Sequence, residues 1–273
     1  MKYYKRIISA ILCVVLALCM VACEQTTAND LMQDASPSTS ALTLYTYNGE
    51  KVCRMFIYDS STVQSILDKL DAVKATKTES WSLEDITLPT YGLEIGSTDG
   101  TSIFVAWSNG YWISQDGAVY SFDFDFAGIE QDYDWSDGDE FSSFSVFPCA
   151  RILSQNESGW NSTLLTPVAE LNPPKGITMT LEAWEDDAVT VTITNESGAE
   201  WSYGEYYNLQ VLLDGVWYEI PAVPGNWSFH DIAFTIQDGE NQDKTYNLTM
   251  YGNLPAGKYR LVAENLSVEG IVA

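Results

Sequence analysis

Alternation of apolar and polar positions divides the chain into two bodies. The first opens with LTLYTYNGEKVCRMFIY from residue 42. Two runs rich in β-branched and aromatic residues flank Asn48-Gly49, a pair that supplies the positive φ angles of a tight hairpin turn. In SSTVQSILDKLDAVKAT the period changes. Val63, Ile66, Leu67, Leu70 and Val73 recur on one helical face, and Ser61 with Gln64 has the spacing of a capping box. Four short strands then follow, punctuated by Asp99-Gly100, Asn109-Gly110 and Asp116-Gly117. The last of them is predicted to alternate Tyr120, Phe122, Phe124 and Phe126 with Ser121, Asp123 and Asp125, burying the rings and leaving the carboxylates in water. Residues 42–149 therefore read as an α+β domain, one helix on an antiparallel sheet.

Residues 150–174 show few clear patterns and read as a linker, closed by the proline pair of LNPPKG. Beyond it, residues 175–273 hold about seven short β runs with turn signals between them and no helical stretch, the pattern of an all-β sandwich. Leu209, Val211 and Leu213 share one face before Asp214-Gly215; Val216, Tyr218 and Ile220 share one after it. The stretches GITMTLEAW, TNESGAEWSYGEYYNLQVLLDGVWYEIP and YGNLPAGKYRLV resemble the bacterial immunoglobulin-like domain family over roughly residues 175–265. That resemblance implies an immunoglobulin-like β-sandwich with no catalytic apparatus of its own.

The N-terminus has another character. Lys2, Lys5 and Arg6 precede a 15-residue apolar run, and Ala22 stands before Cys23, the layout of a secretory signal. The run is shorter than the ~20 apolar residues that cross a bilayer as a helix. Met20-Val21-Ala22-Cys23 resembles the bacterial lipobox, with methionine where leucine is usual. The resemblance implies a signal peptide at 1–22, lipid attachment on Cys23, and export to the outer face of the bacterial cell membrane. Residues 23–41, rich in Thr, Ser, Ala, Asn and Asp, have the composition of a flexible linker.

Charge narrows the list of partners. Loss of residues 1–22 leaves 10 Lys and Arg against 38 Asp and Glu, a net charge of −28 that repels nucleic acid. The expected partners are the membrane, through the lipid on Cys23, and a protein or glycan ligand. No cofactor is expected. Cys53 and Cys149 remain in the folded body, either as a disulfide or as two thiols.

Catalytic signals are few. His230 is the sole histidine, and no Gly-x-Ser-x-Gly elbow, Walker loop or His-Glu-x-x-His helix occurs. Asp132, Asp134, Asp137 and Asp139 in DYDWSDGDE form a weak calcium candidate whose spacing fails the EF-hand pattern. Trp112 and Trp227, each beside a turn, are candidates for a sugar-binding platform, with core packing as the alternative. The expectation is a non-enzymatic cell-surface lipoprotein with a binding or structural-display role. A carbohydrate-binding accessory comes second, and a glycan hydrolase using paired carboxylates third.

Overall fold

A computed structural model describes residues 26–27, 39–78, 82, 85–97, 102–121, 123–131, 138–156, 159–223 and 228–273. The chain is mostly β, with three α-helices among these residues. None of them is long and apolar enough to cross a membrane.

In the N-terminal half, β2 (Thr39–Tyr47) and β3 (Val52–Ile57) form the first hairpin. Its turn spans four residues rather than two. The Asn48 side-chain oxygen accepts the amides of Glu50 and Lys51 at 2.9 and 3.0 Å, and Gly49 adopts φ +102°. Helix α1 (Ser60–Asp71) follows. Its cap is Asp59, not Ser61: Asp59 Oδ1 accepts the Thr62 amide at 2.8 Å, while Gln64 turns away to donate to Asp68 at 2.7 Å. An aspartate in extended backbone reaches the free amides of the first turn better than a serine already inside it. Val63, Ile66 and Leu70 are buried in one cluster with Leu42, Leu44, Met55, Ile57 and Leu93.

The remaining strands are β1 (Thr26–Thr27), β4 (Lys74–Lys77), β5 (Thr90–Ser97), β6 (Ser102–Ser108), β7 (Tyr111–Ser114), β8 (Val119–Ser121) and β9 (Asp139–Phe141). With the first hairpin they form one antiparallel sheet in the order β1-β4-β8-β7-β6-β5-β2-β3-β9. Strand β8 stops at Ser121, short of the alternation expected through Phe126. Asp125 Oδ1 accepts the Gly128 amide at 2.7 Å at the start of helix α2 (Phe126–Gln131), and this local cap ends the extended run. Phe124 and Phe126 are buried all the same; Phe126 lies 5.8 Å from the Tyr91 ring and 5.6 Å from the Trp107 ring.

The opposite face of this sheet is also covered. Tyr45, Tyr47, Val52 and Ile113 pack beneath Phe144, Phe147, Leu153 and Leu164. The cover comes from the chain after β9, including helix α3 (Ala150–Ser154) and the short pair β10 (Gln155–Asn156) and β11 (Gly159–Trp160). Thus residues 150–174, expected to connect two bodies, contribute buried side chains to the first. They also join the second, because β12 (Thr166–Pro167) pairs with β17 (Val216–Glu219).

The C-terminal half contains a five-stranded sheet in the order β12-β17-β16-β20-β21, using β16 (Asn208–Leu213), β20 (Gly257–Ala263) and β21 (Leu266–Val272). A second sheet comprises β13 (Ile177–Trp184), β14 (Ala188–Asn195) and β19 (Asn241–Asn247). The pair β15 (Trp201–Tyr203) and β18 (Phe234–Ile236) forms a separate two-stranded sheet. Val189, Val191 and Ile193 from one sheet share a core with Leu209, Val211, Tyr259 and Leu261 from the other. Asp214 and Gly215 take φ +48° and +84°, so the expected two-residue turn forms. Strand β21 was outside the expected series. Its turn is built by Glu264 and Asn265 at φ +51° and +63°, without the glycine that signals such a turn.

Besides the β12–β17 pairing, hydrogen bonds tie the halves together. The Phe144 amide donates to Thr166 Oγ1 at 2.9 Å, Trp160 Nε1 donates to the Tyr259 hydroxyl at 2.9 Å, and Arg151 Nη2 donates to the carbonyls of Tyr251 and Asn253, each at 2.8 Å.

Candidate functional site

Three segments far apart in sequence meet in a cleft of about 250 Å³ on the C-terminal half. The link between β15 and β16 supplies Glu205 and Tyr207; the stretch before β18 supplies Ser228, Phe229 and His230; and the end of β19 supplies Lys244 and Tyr246. Its floor is aromatic. The rings of Tyr207 and Tyr246 lie 5.0 Å apart, and Tyr207 donates its hydroxyl hydrogen to the Asn247 carbonyl. Phe229 stands edge-on to both Tyr206 and Tyr207 at 5.2 Å. Tyr206 leaves 55% of its surface in solvent, which makes it the outer rim of this ring cluster.

The polar groups sit around the rings. Glu205 Oε2 accepts the His230 amide at 2.6 Å and meets its ring Nδ1 at 2.9 Å. These two bonds, the backbone one first, hold the Glu205 carboxyl below the ordinary glutamate range. Lys244 Nζ lies 3.7 Å from the Phe234 ring centroid. One anion, one cation and several ring faces therefore border the same space. Such a lining can hold a ligand through apolar C–H faces and orient it by hydrogen bonds.

A carboxylate on Nδ1 orients an imidazole as in hydrolase triads. The reacting partner is missing from the geometry: among the described residues, no hydroxyl or thiol hydrogen-bonds to the other ring nitrogen of His230. Groups of three or more side chains able to hold a metal are likewise absent among the described residues.

Of the site residues singled out in the sequence, the described ones, Cys53, Trp112, Asp139 and Cys149, do not meet in this cleft. Cys23, Trp227, Asp132, Asp134 and Asp137 lie outside the described residues. Trp112 is wholly buried, with its ring 6.3 Å from Phe126, and presents no face to a sugar. Adjacency to a turn misled here. The Asn109-Gly110 hairpin directs Trp112 into the sheet core, where it is cross-strand to Trp107. Asp139 is engaged by Arg54 Nη2 at 2.6 Å. No disulfide joins Cys53 to Cys149. Cys149 is buried, its Sγ 3.4 Å from the Phe104 carbonyl, and burial pushes its thiol up, out of the reactive range.

Sequence reasoning missed Glu205, Tyr206, Tyr207 and Phe229. The signal for the first three was the aromatic density of WSYGEYY, which marks rings without saying which of them meet, and Phe229 stands apart in NWSFHD.

Residues 174–269 match the family model for the bacterial Ig-like domain, and the C-terminal half carries that domain. That match does not extend into the N-terminal half. No curated protein matches the chain. A solved structure, the crystal structure of MHC-like MILL2, aligns over 85% of this chain and 98% of its own at 10% identity. Its TM-score of 0.15 is too low to carry an argument.

Proposed function

We propose, on the premise that residues 174–269 form a bacterial Ig-like domain, that this is an exported cell-surface lipoprotein with a non-catalytic binding role. In this reading residues 1–22 are a signal peptide, Cys23 carries the lipid, and residues 23–41 are a tether. The N-terminal body is an α+β unit, a helix over an antiparallel sheet, and the Ig-like domain presents the ligand site.

The aromatic cleft carries the reading. Ring faces bordered by Glu205, Lys244 and His230 suit a ligand that alternates C–H faces with hydroxyls, and carbohydrate has that chemistry. The imidazole without a reacting partner favours holding over cleaving.

A glycan array followed by calorimetry on the mature chain tests the proposal. Tyr206→Ala and Phe229→Ala are expected to weaken binding at least tenfold, equivalent to about 1.4 kcal/mol. Binding unchanged in both variants removes the cleft from consideration. Labelled palmitate that enters the wild-type chain but not Cys23→Ala supports the anchor, and failure to label the wild type refutes it.

A further inference from the structure

On the N-terminal sheet, Phe141, Arg54, Phe56 and Tyr58 form a ladder of flat groups. The Arg54 guanidinium carbon lies 4.7 Å from the ring centroids of both Phe56 and Phe141. Beyond it, Phe56 and Tyr58 stack at 6.0 Å with planes only 12° apart. Phe56 is 44% exposed and Tyr58 70%. Neither ring is used by the core.

We infer that this ladder is a second contact surface, on the N-terminal body, for an uncharged polysaccharide. It shares a ligand class with the cleft but none of its residues, so the two readings stand or fall separately.

Rigidity is the first support. Strand β3 is paired along its length with β2, and β9 flanks its first half. Tyr58 directly precedes Asp59, which caps α1. Rings placed where a strand passes into a capped helix lose little freedom on binding.

Charge supplies the second. Arg54 is engaged by Asp139 and Lys51 by Glu140, both at 2.6 Å, so the surface offers no unsatisfied cation to an acidic polymer. The mature chain, at −28, repels polyanions besides. What remains is apolar ring faces with neutralised polar groups beside them. A pyranose has the matching build, axial C–H bonds on its faces and hydroxyls around its rim.

The third support is the path beyond the rings. Phe56 pairs with Thr43, Thr43 with Glu94 and Glu94 with Phe104, so the four lie in one row across β3, β2, β5 and β6. Tyr45 donates its hydroxyl hydrogen to Glu94 Oε2 at 3.0 Å. Tyr45 and Phe104 also line a pocket of about 230 Å³ with Val146 and Val223, where the two halves of the chain meet. Thr43 is buried within that row, and the half-exposed Glu94 and Phe104 beyond it are the next groups that a linear chain lying on Phe56 and Tyr58 would reach. A stable protein partner would have to bury ~800 Å² of mixed polar and apolar surface on each side, well beyond the two ring faces themselves.

Affinity electrophoresis of the mature chain through gels containing neutral glucan, mannan or xylan tests this, with an anionic polyuronate as contrast. At least one neutral polymer is expected to retard the wild type. The double variant Phe56→Ala/Tyr58→Ala is expected to lose that retardation at least tenfold, with unchanged circular dichroism because both rings are exposed. If only Phe229→Ala weakens retention, the cleft reading stands and the ladder falls. If only the double variant does so, the reverse holds. The inference is also overturned if no neutral polymer retards the wild type, or if sedimentation shows a dimer that the double variant dissolves, since a second copy would then be the occupant.

Discussion

Arg151 is a guanidinium buried at the junction of the two halves, 4% exposed, without a carboxylate partner among the described residues. Its two hydrogen bonds go to the carbonyls of Tyr251 and Asn253, its plane lies 4.3 Å from the Trp160 ring centroid, and its Nε and Nη1 find no partner. A hydrogen bond from a charged donor contributes about 1.5–3 kcal/mol, so two contribute about 3–6. The stack adds about 1 kcal/mol. Desolvation of the charge offsets several kcal/mol of this. Burial accordingly pulls the Arg151 pKa from 12.5 down to about 10.

Two substitutions separate the opposing effects. Arg151→Met fills the space and removes the desolvation cost but leaves both carbonyls without a donor, for an expected loss of about 1–3 kcal/mol. Arg151→Ala also opens a void beside Trp160 and should cost about 3–5 kcal/mol. Urea unfolding of the mature chain, followed by tryptophan fluorescence, reads both. An alanine variant within about 0.5 kcal/mol of wild type would refute the junction as a source of stability.

Glu219 on β17 is buried enough that desolvation raises its pKa, against a hydrogen bond from Ser145 that lowers it. A raised carboxyl pKa favours the fold below the unfolded value, and that contribution is lost as pH rises through the folded one. Glu219→Gln should therefore raise the melting temperature at pH 7.5 and change it little at pH 4; equal effects at both would contradict the burial argument. Asp59 has the opposite sign. Hydrogen bonds from the Ser61 hydroxyl, then from Thr62, lower its pKa to about 2, so its support of α1 is full above 3.8 and lost as pH falls through 2. Asp59→Ala should melt earlier than wild type at pH 6, and the gap should close toward pH 2. Trp112→Ala removes a wholly buried indole and is expected to cost about 3–5 kcal/mol in urea unfolding. A variant of full stability that loses ligand would restore Trp112 to the surface.

Local chemistry was the readable part of this sequence. Asn109-Gly110 and Asp214-Gly215 form two-residue turns because positive φ is a property of those residues themselves. The inner face of α1 followed from its period. What depends on distant chain was hidden. Phe144, Phe147, Leu153 and Leu164 follow no period, because they cover a sheet whose shape they do not set. The cleft joins residues near 205, 230 and 245, and spacing along the chain does not encode their meeting. Parity within a hairpin, rather than closeness to its turn, decided the fate of Trp112.

Strand β2 shows what a sheet covered on both sides entails. From Leu42 to Tyr47 every residue is buried, threonines included, so neither side of the strand gives evolution a site to revise freely. Novelty in such a lineage has to arise at the periphery, and a saturation-mutagenesis map should show intolerance along β2 beside permissive exposed positions such as Glu50 and Lys69.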